Sequence, residues 1–153
     1  MRVWRAERSE APAVARLIGE FGEWFGNGAP PEPEIRASVE RIMAGGDGEY
    51  LLGSAGDDAE AQGVCQLRFR WSVWKSAEDA WLEDLFVREG ARRAGLGRAL
   101  IEAALDRARE RGCKRIELDV NEDNAAARAL YVACGFLEQP KPPGGTMFIG
   151  RAL

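Results

Sequence analysis

A loop rich in glycine and arginine, G-A-R-R-A-G-L-G-R at residues 90–98, sets the tightest limits on how this chain folds. It follows an apolar run at residues 79–87, predicted to be a central strand because both of its faces are apolar. It leads into an amphipathic helix predicted from about Gly95 to Arg111. A strand, a glycine turn and a helix in this order direct unpaired backbone N–H groups and a positive helix end at one point. Such a point favours a phosphate group.

Two nucleotide-binding patterns do not fit this loop. Leu96 and Gly97 stand where a phosphate loop needs Lys followed by Ser or Thr, and Leu100 stands where a dinucleotide fingerprint needs a third glycine. Taken alone, the loop is also compatible with an ordinary strand-to-helix turn carrying solvated arginines.

Strand and helix patterns alternate along the whole chain, in the order β-α-α-β-β-β-α-β-α-β-β. This order predicts one α/β (α+β) domain over residues 1–153, with a mixed, mostly antiparallel sheet of about seven strands flanked by about four helices. The last two strands are predicted at G-F-L-E (135–138) and T-M-F-I-G (146–150). The length of 153 residues and the hydrophobic content of 46% suit a single compact core.

Composition excludes several classes of function. A net charge of −4 argues against nucleic acid as a partner and favours a cationic or neutral small molecule. No apolar segment approaches the ~20 residues of a membrane span, and the N-terminus lacks a signal-peptide pattern, so a cytoplasmic protein is expected.

Histidine is absent, which excludes imidazole as base, nucleophile or metal ligand. The three cysteines are widely spaced among apolar neighbours and are expected to be reduced core thiols, and no metal-ligand spacing occurs.

Two motifs resemble those of the GNAT N-acetyltransferase superfamily. R-R-A-G-L-G, from Arg92 to Gly97, matches its pyrophosphate loop, Q/R-x-x-G-x-G/A. N-E-D-N-A-A-A-R-A-L-Y-V-A-C-G-F resembles its N-x-x-A-x-x-L-Y-x-x-x-G-F block, with Asn124, Ala127, Leu130, Tyr131, Gly135 and Phe136 at the matching places. The spacing of the blocks and the order of elements also fit this fold, although the first ~75 residues match in element order only.

The resemblance implies that acetyl-coenzyme A is the cosubstrate and that no metal is needed. Its pyrophosphate is expected over the start of the 95–111 helix, and its pantetheine arm in a gap between two parallel strands, 79–87 and 115–120. The coenzyme-binding residues so implied are Leu85, Phe86, Val87, Arg92, Arg93, Ala94, Gly95, Leu96, Gly97, Arg98, Asn124 and Tyr131. Asn124 is also a favourable helix N-cap.

Acetylation of an amine needs a proton acceptor, because an alkyl amine of pKa ~10.4 is mostly ammonium at neutral pH. The stretch L-E-D-L-F-V is similar to that of polyamine and diamine acetyltransferases, in which its Glu, here Glu83, is taken as the base. Asp84 is the competing carboxylate, and an ion pair is the structural alternative for either one. Tyr131 matches the tyrosine that protonates the departing thiolate in the superfamily. A buried tyrosine bonded to a backbone carbonyl is the other interpretation.

Four aromatic residues are candidates for the acceptor pocket. Trp24 and Phe25 precede the break between the first two helices, and Trp71 and Trp74 lie on the loop before the central strand. Superfamily members build the acceptor pocket from these regions, and aromatic rings beside carboxylates suit a cationic amine. A core or interface role is the common alternative for each.

The sequence therefore predicts an acetyl-coenzyme A-dependent N-acetyltransferase for a small, cationic primary amine that is polyamine-, aminoglycoside- or amino-acid-like. A protein or peptide N-acetyltransferase and a non-catalytic acyl-coenzyme A-binding module are the alternatives. No membrane or nucleic-acid partner is expected. Homodimers are common among such folds, and no residue pattern here decides the oligomeric state.

Overall fold

The computed structural model describes residues 1–26, 28–56 and 60–138. Within them, five strands and four α-helices follow one another: β1 (Arg2–Arg5), α1 (Ala11–Phe25), α2 (Glu32–Gly45), β2 (Gly48–Ser54), β3 (Gly63–Ser72), β4 (Ala77–Val87), α3 (Leu96–Glu110), β5 (Ile116–Glu117) and α4 (Ala125–Ala133). Single turns of 3-10 helix at Arg8–Glu10 and Glu89–Ala91 precede α1 and the glycine loop.

The five strands form one sheet in the order β1-β2-β3-β4-β5. The pairings from β1 to β4 are antiparallel, and β5 runs parallel to β4. The predicted α/β class and the mixed, mostly antiparallel sheet are confirmed. The described residues hold five strands rather than about seven, because residues 136–138 leave the Gly135 turn without joining a ladder. The strand predicted at 146–150 lies outside the described residues.

Helices cover both faces of the sheet. On one face, α3 presents an apolar stripe to the strands; the buried residues of this core are Leu51, Cys65, Leu67, Phe69, Ala80, Leu82, Ala91, Leu96, Leu100, Ile101, Ala104 and Ala108. On the other face, α1 and α2 bury a second core, formed by Ala6, Ala11, Val14, Ala15, Leu17, Ile35, Val39, Tyr50, Leu52, Val64 and Phe86. The sheet thus lies between two apolar cores, one against each of its faces.

Two strand glycines let α3 approach the sheet closely. A Cβ atom at Gly53 would lie 2.8 Å from Cδ1 of Leu96, and one at Gly63 would lie 2.9 Å from Cδ1 of Leu100. Both distances are too short for a real Cβ, so glycine at these positions lets the first turns of α3 rest on β2 and β3. The N-terminus of α3 is thereby fixed beside the end of β4.

The pairing of β3 with β4 contains a β-bulge at Glu83. Asp84 lies opposite Gln66, whereas Leu82 lies opposite the next residue of β3, so Glu83 is the extra residue. Leu82 packs in the core under α3, but Phe86 packs in the core under α1 and α2. The bulge therefore turns Asp84 and Phe86 toward α1 and α2.

A charge network holds the C-terminal end of α3. Arg107 donates two hydrogen bonds of 2.9 Å to Glu49 of β2, and Arg111 donates two of 2.8 Å to Glu78 of β4. Hydrogen bonds from Arg111 hold the pKa of Glu78 below its usual value, although burial opposes the shift. Burial acts to raise the pKa of Glu49, but the hydrogen bonds and charges of the neighbouring arginines together outweigh it and lower that pKa. The basic end of the helix is thus anchored to the sheet.

Among the described residues, no helix combines the length and apolarity that crossing a bilayer requires.

Candidate active site

One groove joins the residues that the sequence singles out. It has a volume of about 1160 Å³ and extends from beneath α1 and α2, past the end of β4, to the N-terminal ends of α3 and α4. Of the residues predicted to bind the coenzyme, ten line it: Leu85, Phe86, Val87, Arg92, Arg93, Gly95, Gly97, Arg98, Asn124 and Tyr131. Ala94 is exposed beside the groove without lining it, and the side chain of Leu96 is buried in the core under α3.

The strands β4 and β5 pair over only two residues before they part. The ladder joins Ala80 to Ile116 and Trp81 to Glu117. Beyond it, β4 continues to Val87, whereas residues 118–120 belong to no strand. The opening lies between the two segments for which the sequence predicts a gap, and Asp119, Val120 and Asn121 form its far wall.

The edge of β4 that faces this gap offers backbone hydrogen-bonding groups. In an antiparallel ladder, the N–H and C=O groups of successive residues point to alternate edges. The N–H of Arg88 donates to the Gln62 carbonyl, next to β3, at 2.9 Å. The backbone groups of Leu85 and Val87 therefore point to the open edge, where an amide-containing ligand can pair with them.

The glycine loop ends in an exposed helix N-terminus. Gly95 adopts a left-handed conformation, with φ of 88°, immediately before α3. The first backbone bond of the helix runs from the Ala99 N–H to the Gly95 carbonyl at 3.0 Å, so the N–H groups of residues 96–98 have no intrahelical partner. Three such donors at the positive end of a helix dipole form an anion site.

The three arginines of the loop have different environments. Arg92 donates from Nε to the Val87 carbonyl at 2.8 Å, and its Cζ lies 4.7 Å from the ring centroid of Trp24. It therefore supports the end of β4 and the C-terminus of α1. Arg93 and Arg98 are exposed at the groove, and the nearest carboxylate to Arg98 is Glu102, at 3.8 Å. These two cations are available to a phosphate-bearing ligand.

Helix α4 contributes Asn124 and Tyr131 to the groove. Asn124 is the N-cap, and its Oδ1 accepts from the Ala127 N–H at 3.2 Å. Tyr131 packs edge-on against Phe136, with ring centroids 5.7 Å apart. No group among the described residues hydrogen-bonds its hydroxyl, so the carbonyl-bound alternative has no counterpart there. Burial, followed by nearby acidic groups, raises the pKa of Tyr131 to about 12 and keeps the phenol protonated.

Glu83 and Asp84 both line the groove, in different surroundings. Glu83 is exposed at the bulge, whereas Asp84 is half-buried. Burial, followed by the charges of Glu83 and Asp119, raises the pKa of Asp84 to about 6. A carboxylate with this pKa is mostly ionised at pH 7 and holds a proton more tightly than an ordinary carboxylate, which suits a group that accepts one.

The predicted aromatic residues divide into two groups. Trp24 and Phe25 line the groove at the end of α1, and each is about half exposed. Trp71 pairs with Glu78 in the β3–β4 hairpin, about 17 Å along the strand from Glu83, and Trp74 lies at its tip with 97% of its surface exposed. The structure does not bring Trp71 and Trp74 to the groove.

Sequence patterns missed other residues that line the groove. They are Glu34 and Ser38 of α2, Tyr50 of β2, Gln66 of β3 and Asp119. Glu34, Ser38, Gln66 and Asp119 are polar residues of amphipathic or alternating segments, so the sequence does not distinguish them from solvent-facing side chains. Among the described residues, no three potential metal-ligating side chains form a group.

The known proteins that this chain resembles are acetyltransferases. A sequence profile of the acetyltransferase (GNAT) family matches residues 14–136. The thialysine N-epsilon-acetyltransferase of Bos taurus is 27% identical over 157 residues, which cover 94% of this chain and 88% of that protein. The mycothiol acetyltransferase of Beutenbergia cavernae is 47% identical over 68 residues; the match spans 42% of this chain and only 23% of that longer protein.

A solved structure extends the likeness to the whole fold. The structure named as an acetyltransferase from Arthrobacter sp. FB24 superposes with a TM-score of 0.84 at 31% identity. The superposition covers 100% of this chain and 96% of that one.

Proposed function

The chain belongs to the acetyltransferase (GNAT) family of N-acetyltransferases, and from this premise we propose that it transfers the acetyl group of acetyl-coenzyme A directly to a small, cationic primary amine. The observation that carries the proposal is the groove, because one cleft joins an anion-binding helix end to a pair of carboxylates. The first suits a coenzyme with a pyrophosphate, and the second suits an ammonium group that must lose a proton.

Coenzyme A occupies the half of the groove formed by β4, α3 and α4. Its pyrophosphate accepts hydrogen bonds from the N–H groups of residues 96–98, with Arg93 and Arg98 beside it. Its pantetheine amides pair with the open backbone groups of Leu85 and with the N–H of Val87, whose carbonyl already accepts from Arg92. In this arrangement Leu96 contributes its N–H and not its buried side chain.

The amine loses its proton to a carboxylate at the bulge. Freeing the lone pair of an alkyl amine at neutral pH costs about 4 to 5 kcal/mol without a base. Glu83 accepts this proton, directly or through a water molecule, as its resemblance to the base of polyamine and diamine acetyltransferases implies. Asp84 is the second candidate, and its pKa of about 6 favours it. The kinetics of variants at Glu83 and at Asp84 distinguish which of the two carboxylates accepts the proton.

Tyr131 assists the leaving group. As the amine nitrogen bonds to the thioester carbon, the C–S bond breaks and the sulfur leaves as a thiolate that needs a proton. The Tyr131 hydroxyl lines the groove and is protonated at neutral pH. The same burial raises the pKa of the departing thiol, so the phenol can donate its proton as the C–S bond breaks, and the tyrosinate then regains a proton from water or from the carboxylate that took the proton of the amine.

The acceptor end of the groove suits a cation. Glu34, Glu83, Asp84 and Asp119 line it, and the rings of Trp24 and Phe25 flank it. The thialysine relative named above acts, by its name, on a primary amine of a small molecule. Both observations favour a small amine over a peptide amine.

The test is a panel of putrescine, spermidine, lysine, kanamycin and a peptide with a free N-terminal alanine, incubated with acetyl-coenzyme A while free thiol is measured. Amine-dependent thiol release with a small cation, confirmed by the mass of the acetylated product, is expected. Release with the peptide alone would indicate a protein N-acetyltransferase. Coenzyme binding by calorimetry without release for any amine would indicate a non-catalytic module.

A further inference from the structure

Three polar side chains form a row across the sheet at the acceptor end. Tyr50 of β2 lies opposite Gln66 of β3, and Gln66 lies opposite Asp84 of β4. Directly opposed residues project from the same face of a sheet, with Cα atoms about 4.5 to 5.5 Å apart. All three side chains line the groove under α1 and α2.

The adjacent row on the same face is apolar. It consists of Leu52, Val64 and Phe86, which are paired in the same way and buried in the core under α1 and α2. The polar row therefore stands where this face of the sheet otherwise carries core residues.

The side chains of two members of the polar row are largely buried, and their polar atoms have no hydrogen-bond partner among the described residues. Tyr50 is 2% exposed and Gln66 is 7% exposed. Among the residues that the structure describes, no hydrogen bond is made by the Tyr50 hydroxyl or by the Gln66 amide, although both groups reach the groove. Among the described residues, the one buried side-chain polar atom without a partner is Oδ1 of Asp79, so the polar atoms of Tyr50 and Gln66 open onto the groove rather than into the core. These two groups are therefore placed to bind a polar ligand atom.

The donors and acceptors of the polar row determine which kind of ligand group can bind there. Burial, followed by the charge of Asp84, raises the pKa of Tyr50, so its hydroxyl is a donor at all working pH values. The Gln66 amide supplies two donors and an acceptor. The carboxylates of Glu83, Asp84 and Asp119 repel an anionic group at this place. A neutral hydroxyl, which both donates and accepts, fits best.

We propose that Tyr50 and Gln66 bind a hydroxyl group of the acceptor, two or three carbons from the amine that faces Asp84, so that the acceptor is an amino alcohol. This proposal rests on the N-acetyltransferase function proposed above and narrows its substrate class. The separation follows from the spacing of neighbouring strands, which sets the distance between Asp84 and Gln66; Tyr50 lies one strand farther, on the other side of Gln66.

The test compares 3-amino-1-propanol with n-butylamine, which have the same number of heavy atoms and differ by a hydroxyl in place of a methyl group. The wild-type enzyme is expected to prefer the amino alcohol by about tenfold in kcat/KM, as one well-made hydrogen bond provides. Tyr50→Phe and Gln66→Leu should each bring this ratio toward one. Equal use of both amines by the wild type, or an unchanged ratio in both variants, would overturn the proposal.

Thermal denaturation separates a binding role from a structural one. Removing a polar group that has no partner should leave the melting temperature unchanged or raise it. Gln62→Leu is the matched control, because the Gln62 side chain accepts from the Ala55 N–H at 3.1 Å outside the groove. That variant should melt at a lower temperature and keep the substrate ratio. A lower melting temperature for Gln66→Leu, with equal losses on both amines, would contradict the binding role.

A protein that acetylates none of the tested amines can still be tested for the hydroxyl-binding site. If no amine of either set releases thiol, binding of the same two amines is measured by saturation-transfer NMR. Stronger binding of 3-amino-1-propanol that is lost in Gln66→Leu would support the hydroxyl site even then. Equal binding of the two amines would overturn it.

Discussion

Replacing Asp84 with Asn is expected to stabilise the protein at neutral pH while it slows acetyl transfer. The folded protein holds the pKa of Asp84 at about 6, against an ordinary value of 3.8, because the charged form is half-buried beside two other carboxylates. One pKa unit corresponds to 1.36 kcal/mol, so ionised Asp84 costs the folded state up to about 3 kcal/mol. Asn is nearly isosteric and carries no charge.

The sign of the pH dependence follows from the raised pKa. Below pH 3.8, Asp84 is protonated in the folded and unfolded states, and the variant gains nothing. As the pH rises from 3.8 to about 6, the unfolded state ionises first and wild-type stability falls. Above about pH 7 the gain of the variant is complete, which for a chain of this size corresponds to a rise in melting temperature of roughly 6 to 12 °C.

The assay is urea unfolding of the wild type and Asp84→Asn at pH 4 and pH 7.5. Asp47→Asn is the control, since Asp47 forms an exposed ion pair with Arg68 and should change stability by less than about 1 kcal/mol at both pH values. A difference between wild type and Asp84→Asn that is the same at both pH values would show that the ionised Asp84 carboxylate does not destabilise the folded protein. In kinetics, kcat/KM of the wild type should fall about tenfold per pH unit below pH 6 if Asp84 takes the proton. A flat profile there would exclude that role.

The remaining predictions concern the other groups of the site. Glu83→Gln should lower kcat/KM by roughly 10² to 10⁴ near neutral pH, and less as the pH approaches the pKa of the amine; a loss that does not depend on pH would indicate a structural role. Tyr131→Phe should lower kcat more than it raises the KM for the coenzyme, and equal turnover across pH would exclude an acid role. Gly97→Glu should abolish acetyl-coenzyme A binding in calorimetry, by bulk and charge. A milder Gly97→Ala should fold, because its Cβ would lie 3.2 Å from the movable Cδ2 of Leu130.

The coenzyme half of the site is readable in the sequence because its elements are consecutive. A strand, a glycine loop and a helix follow one another between residues 79 and 111, so spacing alone places the open helix N-terminus at Gly95. Asn124 likewise caps α4 as its sequence position indicates. Whether these residues bind coenzyme A remains a prediction.

The acceptor half depends on register between distant strands, which the sequence does not display. Regular alternation along β4 places Asp84 on the face opposite Glu83 and on the same face as Leu82. The bulge instead sends Asp84 to the α1 and α2 face, beside Gln66. On β3, Gln66 alternates with apolar residues and therefore resembles a solvent-facing side chain. Only the helices packed above it make the position buried.

The bulge at Glu83 also makes β4 unusually tolerant of a change in length. Residues on either side of it keep their own pairing with β3, so removing position 83 leaves Leu82 facing α3 and Asp84 facing α1, as regular alternation requires. In most central strands, a one-residue deletion exchanges the inner and outer faces of everything that follows. Here an evolving chain can gain, lose or replace the residue at position 83 while the strand, loop and helix that follow it keep their register. Change at that single position is thus a structural route to a different lining of the groove.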